Sequence, residues 1–385
     1  MGRVEELADR ARATGRLGID TEFMGEGRYR ALLCLVQVAV DDGARVEVLD
    51  PLEGDLDPAP LAAVLADPAV EIVMHAGRQD VALLKRVWET EVTNVFDTQL
   101  AAGFGGMRAQ LGYEALLHEV LGVRLSKSAS FTRWDARPLS PEQVEYARED
   151  VLHLLQLSAA LQERLEALGR LDWAREECRA LEAVSDVRDV DAVFDRLPRV
   201  NSLDPSQRAV ARELAAWREQ TAREGDRPVQ TILSDAGLVE VAKRRPRDVE
   251  RLRQIRGINE ATMHRRGKAL VEVVARAREL EPIPVEGERP AQPHPQDAVL
   301  IALGEALVRA RALESKLAYE LIAAKADLQR IALSVRDGTP EPAVRTLEGW
   351  RRELVGDELL ALLGGRLALS VGDDRRLLVE ERRRP

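Results

Sequence analysis

Short β-branched or apolar runs alternate with stretches of helical spacing through the first hundred residues, and that alternation restricts the N-terminal part of the chain to an α/β fold. Strands are expected at Gly15 to Phe23, Leu32 to Val40, Arg45 to Leu49, Glu71 to His75 and Thr93 to Phe96, with Asp41-Asp42-Gly43 as a hairpin-type turn between the second and third. Helical spacing marks Leu61 to Leu65, Gln79 to Val87, Tyr113 to Leu121 and one long segment, Glu142 to Leu168. The expected architecture is a mixed sheet flanked by helices. From about Asp172 onward strand signals almost vanish, and the chain reads as helices separated by turns containing Pro and Gly.

A chain of 385 residues exceeds one ordinary core, and roughly 150 residues per domain suggests two or three. Two seams divide it. Residues 184–202 are polar and acidic, and Glu281 to Gln296 contains five prolines, which suit a stiff extended linker. The expected domains are therefore an α/β domain at 1–183, a helical domain at 200–281, a Pro-rich linker at 282–296 and a second helical domain at 297–385. The longest apolar run, Ala31 to Val40, has about half the length of a membrane-spanning helix, so no membrane segment is expected. The N-terminus lacks the apolar stretch of a secretory signal, which points to the cytoplasm. Cys34 and Cys178, the only cysteines, read as buried inert thiols.

Net charge is −10, which by itself argues against a nucleic-acid binder. Its distribution reverses the argument. Residues 1–180 hold 20 Lys and Arg against 31 Asp and Glu, whereas residues 201–281 hold 17 against 13. One basic segment lies in an acidic chain, and the acidic part suits divalent metals.

Three groups of side chains carry candidate chemistry. Asp20 and Glu22 stand two apart on a strand, so both project from one face. Asp80 follows the run Val73 to Gln79, a strand entering a helix, and falls in the first helical turn. Tyr146 and Asp150 lie four apart on a helix, one above the other. Taken singly, each has a plainer reading as a solvated face, a helix N-terminus or a surface hydrogen bond. Taken together they favour a site, because Asp20 and Glu22 interrupt an otherwise buried strand, where unpaired carboxylates are costly unless metal or protons neutralise them.

These residues resemble the three exonuclease motifs of the DEDD superfamily, in its tyrosine subgroup, and within that the ribonuclease D family. Asp20 and Glu22 match the first motif, Asp80 the second, and Tyr146 with Asp150 the third. The histidine subgroup places His five positions before the last Asp, where this chain has Glu145. Phe96 to Ala102 and Trp134 to Leu139 resemble further family segments, and the similarity spans about residues 15–165. The resemblance implies a ribonuclease H-like domain that binds two divalent ions, Mg²⁺ or Mn²⁺, through Asp20, Glu22, Asp80 and Asp150. It also implies that Tyr146 orients the attacking water. Asp97 reads as a helix cap and His75 as a packed strand-end histidine. Lys127, Arg133 and Arg137 are candidate phosphate contacts or loop decoration.

Residues 203–281 resemble the helicase-and-ribonuclease-D C-terminal (HRDC) domain, notably at Arg227 to Leu233, Leu238 to Pro246 and Leu252 to Ile258. Their basic stretch includes Lys243, Arg244, Arg245, Arg247, Arg251 and Arg253. It suits phosphates rather than bases, since it contains no aromatic residue for stacking. Residues 297–385 resemble a more divergent module of the same kind. The function implied is a 3′→5′ exoribonuclease acting on RNA 3′ ends, with tRNA precursors as the suggested substrate. Two rivals stay open here, a DNA 3′→5′ exonuclease and a catalytically silent nucleic-acid-binding scaffold.

Overall fold

The computed structural model describes residues 2–54, 56–108, 110–125, 133–258, 260–285 and 294–382. The N-terminal half begins with α1 (Arg3–Thr14), then β1 (Arg16–Met24), β2 (Leu32–Val40), β3 (Arg45–Leu49), α2 (Ala59–Leu65), β4 (Glu71–Met74), α3 (Arg78–Val87) and β5 (Val95–Asp97). It continues through α4 (Thr98–Phe104), α5 (Tyr113–Leu121), α6 (Pro141–Leu152), α7 (Leu154–Ala167) and α8 (Leu171–Glu182). The sheet order is β3-β2-β1-β4-β5, with β1, β2 and β3 antiparallel and β4 and β5 parallel to β1. This is the mixed sheet expected from sequence.

Period-two alternation separates the two faces of β1. Leu17 and Ile19, with Val36 and Val38 of β2, pack on Leu7 and Ala11 of α1, Leu61 and Val64 of α2, and Val81 and Leu84 of α3. Gly18, Asp20 and Glu22 take the opposite face, under α6 and α7, where Ala39 packs with Val151, Leu154 and Leu155. Helix α1 escaped the periodicity reading because its buried residues are few, Leu7, Ala8 and Ala11, two of them alanines.

The single helix expected from Glu142 to Leu168 is two, broken at His153. The turn between β2 and β3 presses into the break. A Cβ on Gly43 (φ +88°) would lie 2.2 Å from the Leu152 carbonyl oxygen, and the Gln156 side chain donates to the Asp42 carbonyl at 3.2 Å. No local signal announces a break caused by another segment.

The second half holds α9 (Val190–Asp195), α10 (Pro205–Glu224), α11 (Val229–Ile232), α12 (Asp235–Arg244), α13 (Val249–Arg253) and α14 (Glu260–Ala277) around their own core, which includes Val210, Leu214, Leu238, Leu252 and Leu270. Next come α15 (Pro295–Ser315), α16 (Tyr319–Ile322), α17 (Lys325–Asp337), and α18 (Gly349–Arg351), which runs through a wide turn at Arg352–Gly356 into α19 (Asp357–Leu363). A hairpin of β6 (Leu367–Val371) and β7 (Leu377–Glu381) ends the chain and corrects the purely helical reading of residues 297–385. These strands were easy to miss, since neither buries a full face.

Residues 297–382 do not form a separate ball. Leu307, Val308, Leu328, Trp350 and Leu359 share one apolar cluster with Phe104, Leu116, Leu161 and Ala174 of the α/β half. Trp350 is its centre, stacked on Trp173 at 5.3 Å and edge-on to Phe104 at 5.1 Å.

Candidate active site

Asp20 and Glu22 leave β1 on the face covered by α6, which carries Tyr146 and Asp150 four residues apart. Ser140 begins that helix with a capping box closed by Gln143, and Pro141 occupies its first turn, so the start of α6 is fixed locally. Asp80 is the third residue of α3, where a carboxylate favours the helix dipole. The corner before it is held by Asp97, whose carboxylate accepts from the Gly77 N–H at 2.8 Å while capping α4 through Gln99 (2.8 Å) and Leu100 (3.0 Å). Asp97 is thus a cap, as its position at a strand-to-helix boundary predicts. His75 is a packed residue, its Nδ1 2.9 Å from the Thr98 hydroxyl.

The four carboxyls lie within one another's fields. Burial first, and then repulsion from Asp80, Asp150 and Glu22, lifts Asp20 well above the usual carboxylate range. Glu22 is pushed up to about 8 by burial and by Asp150 and Asp80. Burial raises Asp150 to about 7, helped by Glu149, and Asp80 to about 6 against the opposing hydrogen bond from Thr21. Tyr146 is held protonated by burial and by Asp150, Glu22 and Asp20, beside the Trp134 ring at 5.9 Å.

Among the described residues, no three His, Cys, Asp or Glu side chains are drawn tightly enough together to form a finished metal cage. One Asp80 oxygen accepts from the Thr21 hydroxyl.

The expected phosphate contacts divide. Arg137 is corrected. All five of its N–H donors are used, on both Asp50 oxygens (2.6 and 2.7 Å) and on the carbonyls of Trp134, Ala136 and Cys34, so it staples the Trp134 segment to the sheet. Arg133 is exposed and, among the described residues, bonds Asp135 through Nε at 2.9 Å. Lys127 lies outside the described residues. In the helical half, Lys243, Arg244, Arg247, Arg251 and Arg253 are exposed and Arg245 is half-buried. Arg244 pairs with Glu240 at 2.6 Å. Burial, and then repulsion from Arg247, Arg245 and Arg251, lowers the pKa of Arg278, which places these four guanidiniums in one field. Arg278 was invisible in the linear basic stretch because a turn and the whole of α14 separate it from Arg251.

A cleft between the halves was also missed. The loop after β1 is clamped to α10 and the turn that follows it, with Arg28 on Asp226 at 2.8 Å, the Tyr29 hydroxyl on Glu219 at 2.9 Å, and the guanidiniums of Arg30, Arg188 and Arg223 about the Tyr29 ring. Beside it lies a cavity of about 520 Å³ whose lining includes Arg78, two residues before Asp80, together with Arg188 and Arg196.

A family model described as 3′-5′ exonuclease matches residues 3–166, and one for the HRDC domain matches residues 207–274. A ribonuclease D of Gluconacetobacter diazotrophicus is 38% identical over 373 residues, covering 96% of this chain and 93% of that one. The chain belongs to the ribonuclease D family. The ribonuclease D of Granulibacter bethesdensis is 37% identical over 92% of this chain and 88% of its own length. The crystal structure of Escherichia coli RNase D, described as an exoribonuclease involved in structured RNA processing, superposes with a TM-score of 0.81 at 30% identity over 94% of this chain and 96% of that one. As a ribonuclease D family member, this chain is a hydrolytic 3′→5′ exoribonuclease with an HRDC domain, and the DNA-exonuclease and silent-scaffold readings give way. Among its described residues, no helix is long and apolar enough to cross a membrane.

Proposed function

We propose that Asp20, Glu22, Asp80 and Asp150 hold two divalent cations, Mg²⁺ or Mn²⁺, and that Tyr146 orients the attacking water. The observation that carries this reading is the mutual field of four carboxyls brought from β1, α3 and α6. The exonuclease family is divalent-metal dependent, and the donor set fits the group. Carboxylate oxygens suit hard ions, and groups kept protonated by burial and repulsion ionise when a cation replaces the protons. When bound, such ions supply an activated water and charge stabilisation for the phosphate and its leaving 3′-oxygen. The chain's own residues do the rest. Tyr146, fixed by packing near Trp134, holds its phenolic proton and directs the water by hydrogen bonding. Asp97 fixes the corner that delivers Asp80.

RNA enters by its 3′ end along the cleft of Arg78, Arg188 and Arg196, and its more distant phosphates meet the patch of Arg245, Arg247, Arg251 and Arg278. Structured RNA, tRNA precursors among it, is the substrate this reading assigns, with nucleoside 5′-monophosphates as products. Domain bounds of 1–183, 200–281 and 297–385, with a linker at 282–296, complete the proposal. The third unit is read as a second HRDC-like module because α15, α16 and α17 repeat the succession of α10, α11 and α12, a long helix, a four-residue helix and a further helix. Its shared core with the α/β half gives it a packing role.

End-labelled single-stranded RNA, its DNA counterpart and a tRNA carrying extra 3′ residues, each incubated with Mg²⁺, Mn²⁺ or EDTA, test the proposal. The expected result is stepwise shortening of both RNAs, abolished by EDTA. Full activity in EDTA would overturn the metal assignment, and an untrimmed tRNA would overturn the substrate assignment.

A further inference from the structure

Gln37 is a polar residue set into the apolar run Ala31–Val40, and it is fully buried. Neither its amide nitrogen nor its amide oxygen has a hydrogen-bond partner among the described residues. Leaving such a group unsatisfied costs about 1–3 kcal/mol, whereas a methionine of similar shape would fill the same space without that cost. Something other than packing favours an amide here.

Its place in the sheet identifies what that is. Gln37 on β2 is the direct cross-strand partner of Asp20 on β1, and opposed residues of an antiparallel pair project from the same face. Its neighbours on that face confirm the direction. Leu35 belongs to the cluster containing Ala147, and Ala39 to the cluster containing Val151. Gln37 therefore lies between two contacts of α6 that bracket Asp150. The Tyr113 ring lies over the same layer, packed on the cluster of Ala39 and Val151.

We propose that Gln37 is a positioning residue for Asp20. With the site loaded, the Gln37 amide Nε2 donates to the Asp20 carboxylate and fixes the orientation in which its metal-facing oxygen is presented. Hydrogen-bonded carboxylates are the rule around metal ions, and removal of such a partner typically weakens metal affinity or activity about 10–100-fold. A donor to an ionised carboxylate also makes a stronger bond than one to a neutral group. This inference rests on Asp20 being a metal ligand.

Gln37→Met in the full-length chain tests it, with Gln37→Leu carried through the same measurements. Mn²⁺ alone is titrated by calorimetry, melting temperatures are recorded without metal, and kcat and KM are measured on single-stranded RNA. Expected are a metal-free melting temperature at or above that of the parent, Mn²⁺ affinity weakened about tenfold or more, and a fall in kcat with KM unchanged. Parental Mn²⁺ affinity and kcat in a folded variant would overturn the proposal. Asp20→Asn is the control. If it loses Mn²⁺ binding while the Gln37 variants do not, the positioning role fails and the metal site stands. If Asp20→Asn binds Mn²⁺ as the parent does, the metal assignment itself fails.

Discussion

The Tyr29 hydroxyl donates to the Glu219 carboxylate at 2.9 Å, joining the loop that leaves the Asp20 and Glu22 strand to the first long helix of the HRDC domain. Glu219 is buried, and a charged partner, Arg188, lies 3.1 Å away. Tyr29→Phe removes a hydrogen bond to a buried charge. A decrease of about 1.5–3 kcal/mol in denaturant-induced unfolding is expected, since bonds to charged groups lie in that range. No change in the midpoint would mean that solvent or Arg188 satisfies Glu219 equally well.

The four-carboxylate reading predicts a separation of roles. Asp20→Asn and Asp150→Asn abolish cleavage of labelled RNA and leave RNA binding measurable. Tyr146→Phe lowers kcat and leaves the Mn²⁺ titration unaltered, because the phenol acts on water and is not a ligand. Parental cleavage rates in either Asp variant exclude the assignment.

Stability and metal affinity respond oppositely to pH. Glu22 near 8, Asp150 near 7 and Asp80 near 6 all lie above their ordinary values of 4.5, 3.8 and 3.8. Such groups contribute stability that is fully present below about pH 4 and is lost as pH rises through about 6 to 8, because the unfolded chain releases protons that the fold retains. The metal-free protein should therefore melt at a lower temperature at pH 8 than at pH 6 as far as this site is concerned, with the difference reduced in Asp150→Asn. Mn²⁺ binding should tighten over the same interval and release protons. Calorimetry in two buffers of different ionisation enthalpy reads that release, and its absence at pH 6.5 would contradict the burial of these acids.

Engagement of RNA phosphates by the basic patch predicts a salt signature. Arg247→Gln with Arg251→Gln should weaken single-stranded RNA binding and reduce the slope of log affinity against log salt by about 0.7 for each phosphate no longer neutralised. An unchanged slope removes the patch from the RNA path. Arg137→Gln, by contrast, should lower thermal stability, since every donor it offers is already bound within the protein.

Trp350 predicts interdependence of the chain's two ends. It is about 1% exposed and packs on Phe104 and Trp173, so Trp350→Ala should cost about 3–5 kcal/mol. The exonuclease half should lose protection in hydrogen exchange at α4 and α8, in addition to residues 297–382. Deprotection confined to the C-terminal residues would show that the shared cluster does not couple them.

The local signals of the chain were sufficient for the strands of the sheet, the cap at Asp97, and the placement of Asp20 with Glu22 and of Tyr146 with Asp150. Each of these depends on backbone periodicity or on neighbours within four residues. Tertiary structure decided the rest. It decided that Arg137 is a staple, that Arg278 joins the basic patch, that the helix breaks at His153 and that residues 297–382 share a core with the exonuclease half. The same holds for Gln37, whose meaning comes from standing opposite Asp20 across two strands. Such properties arise where segments distant in sequence meet, and no local pattern of charge or hydrophobicity records which partner a side chain will face.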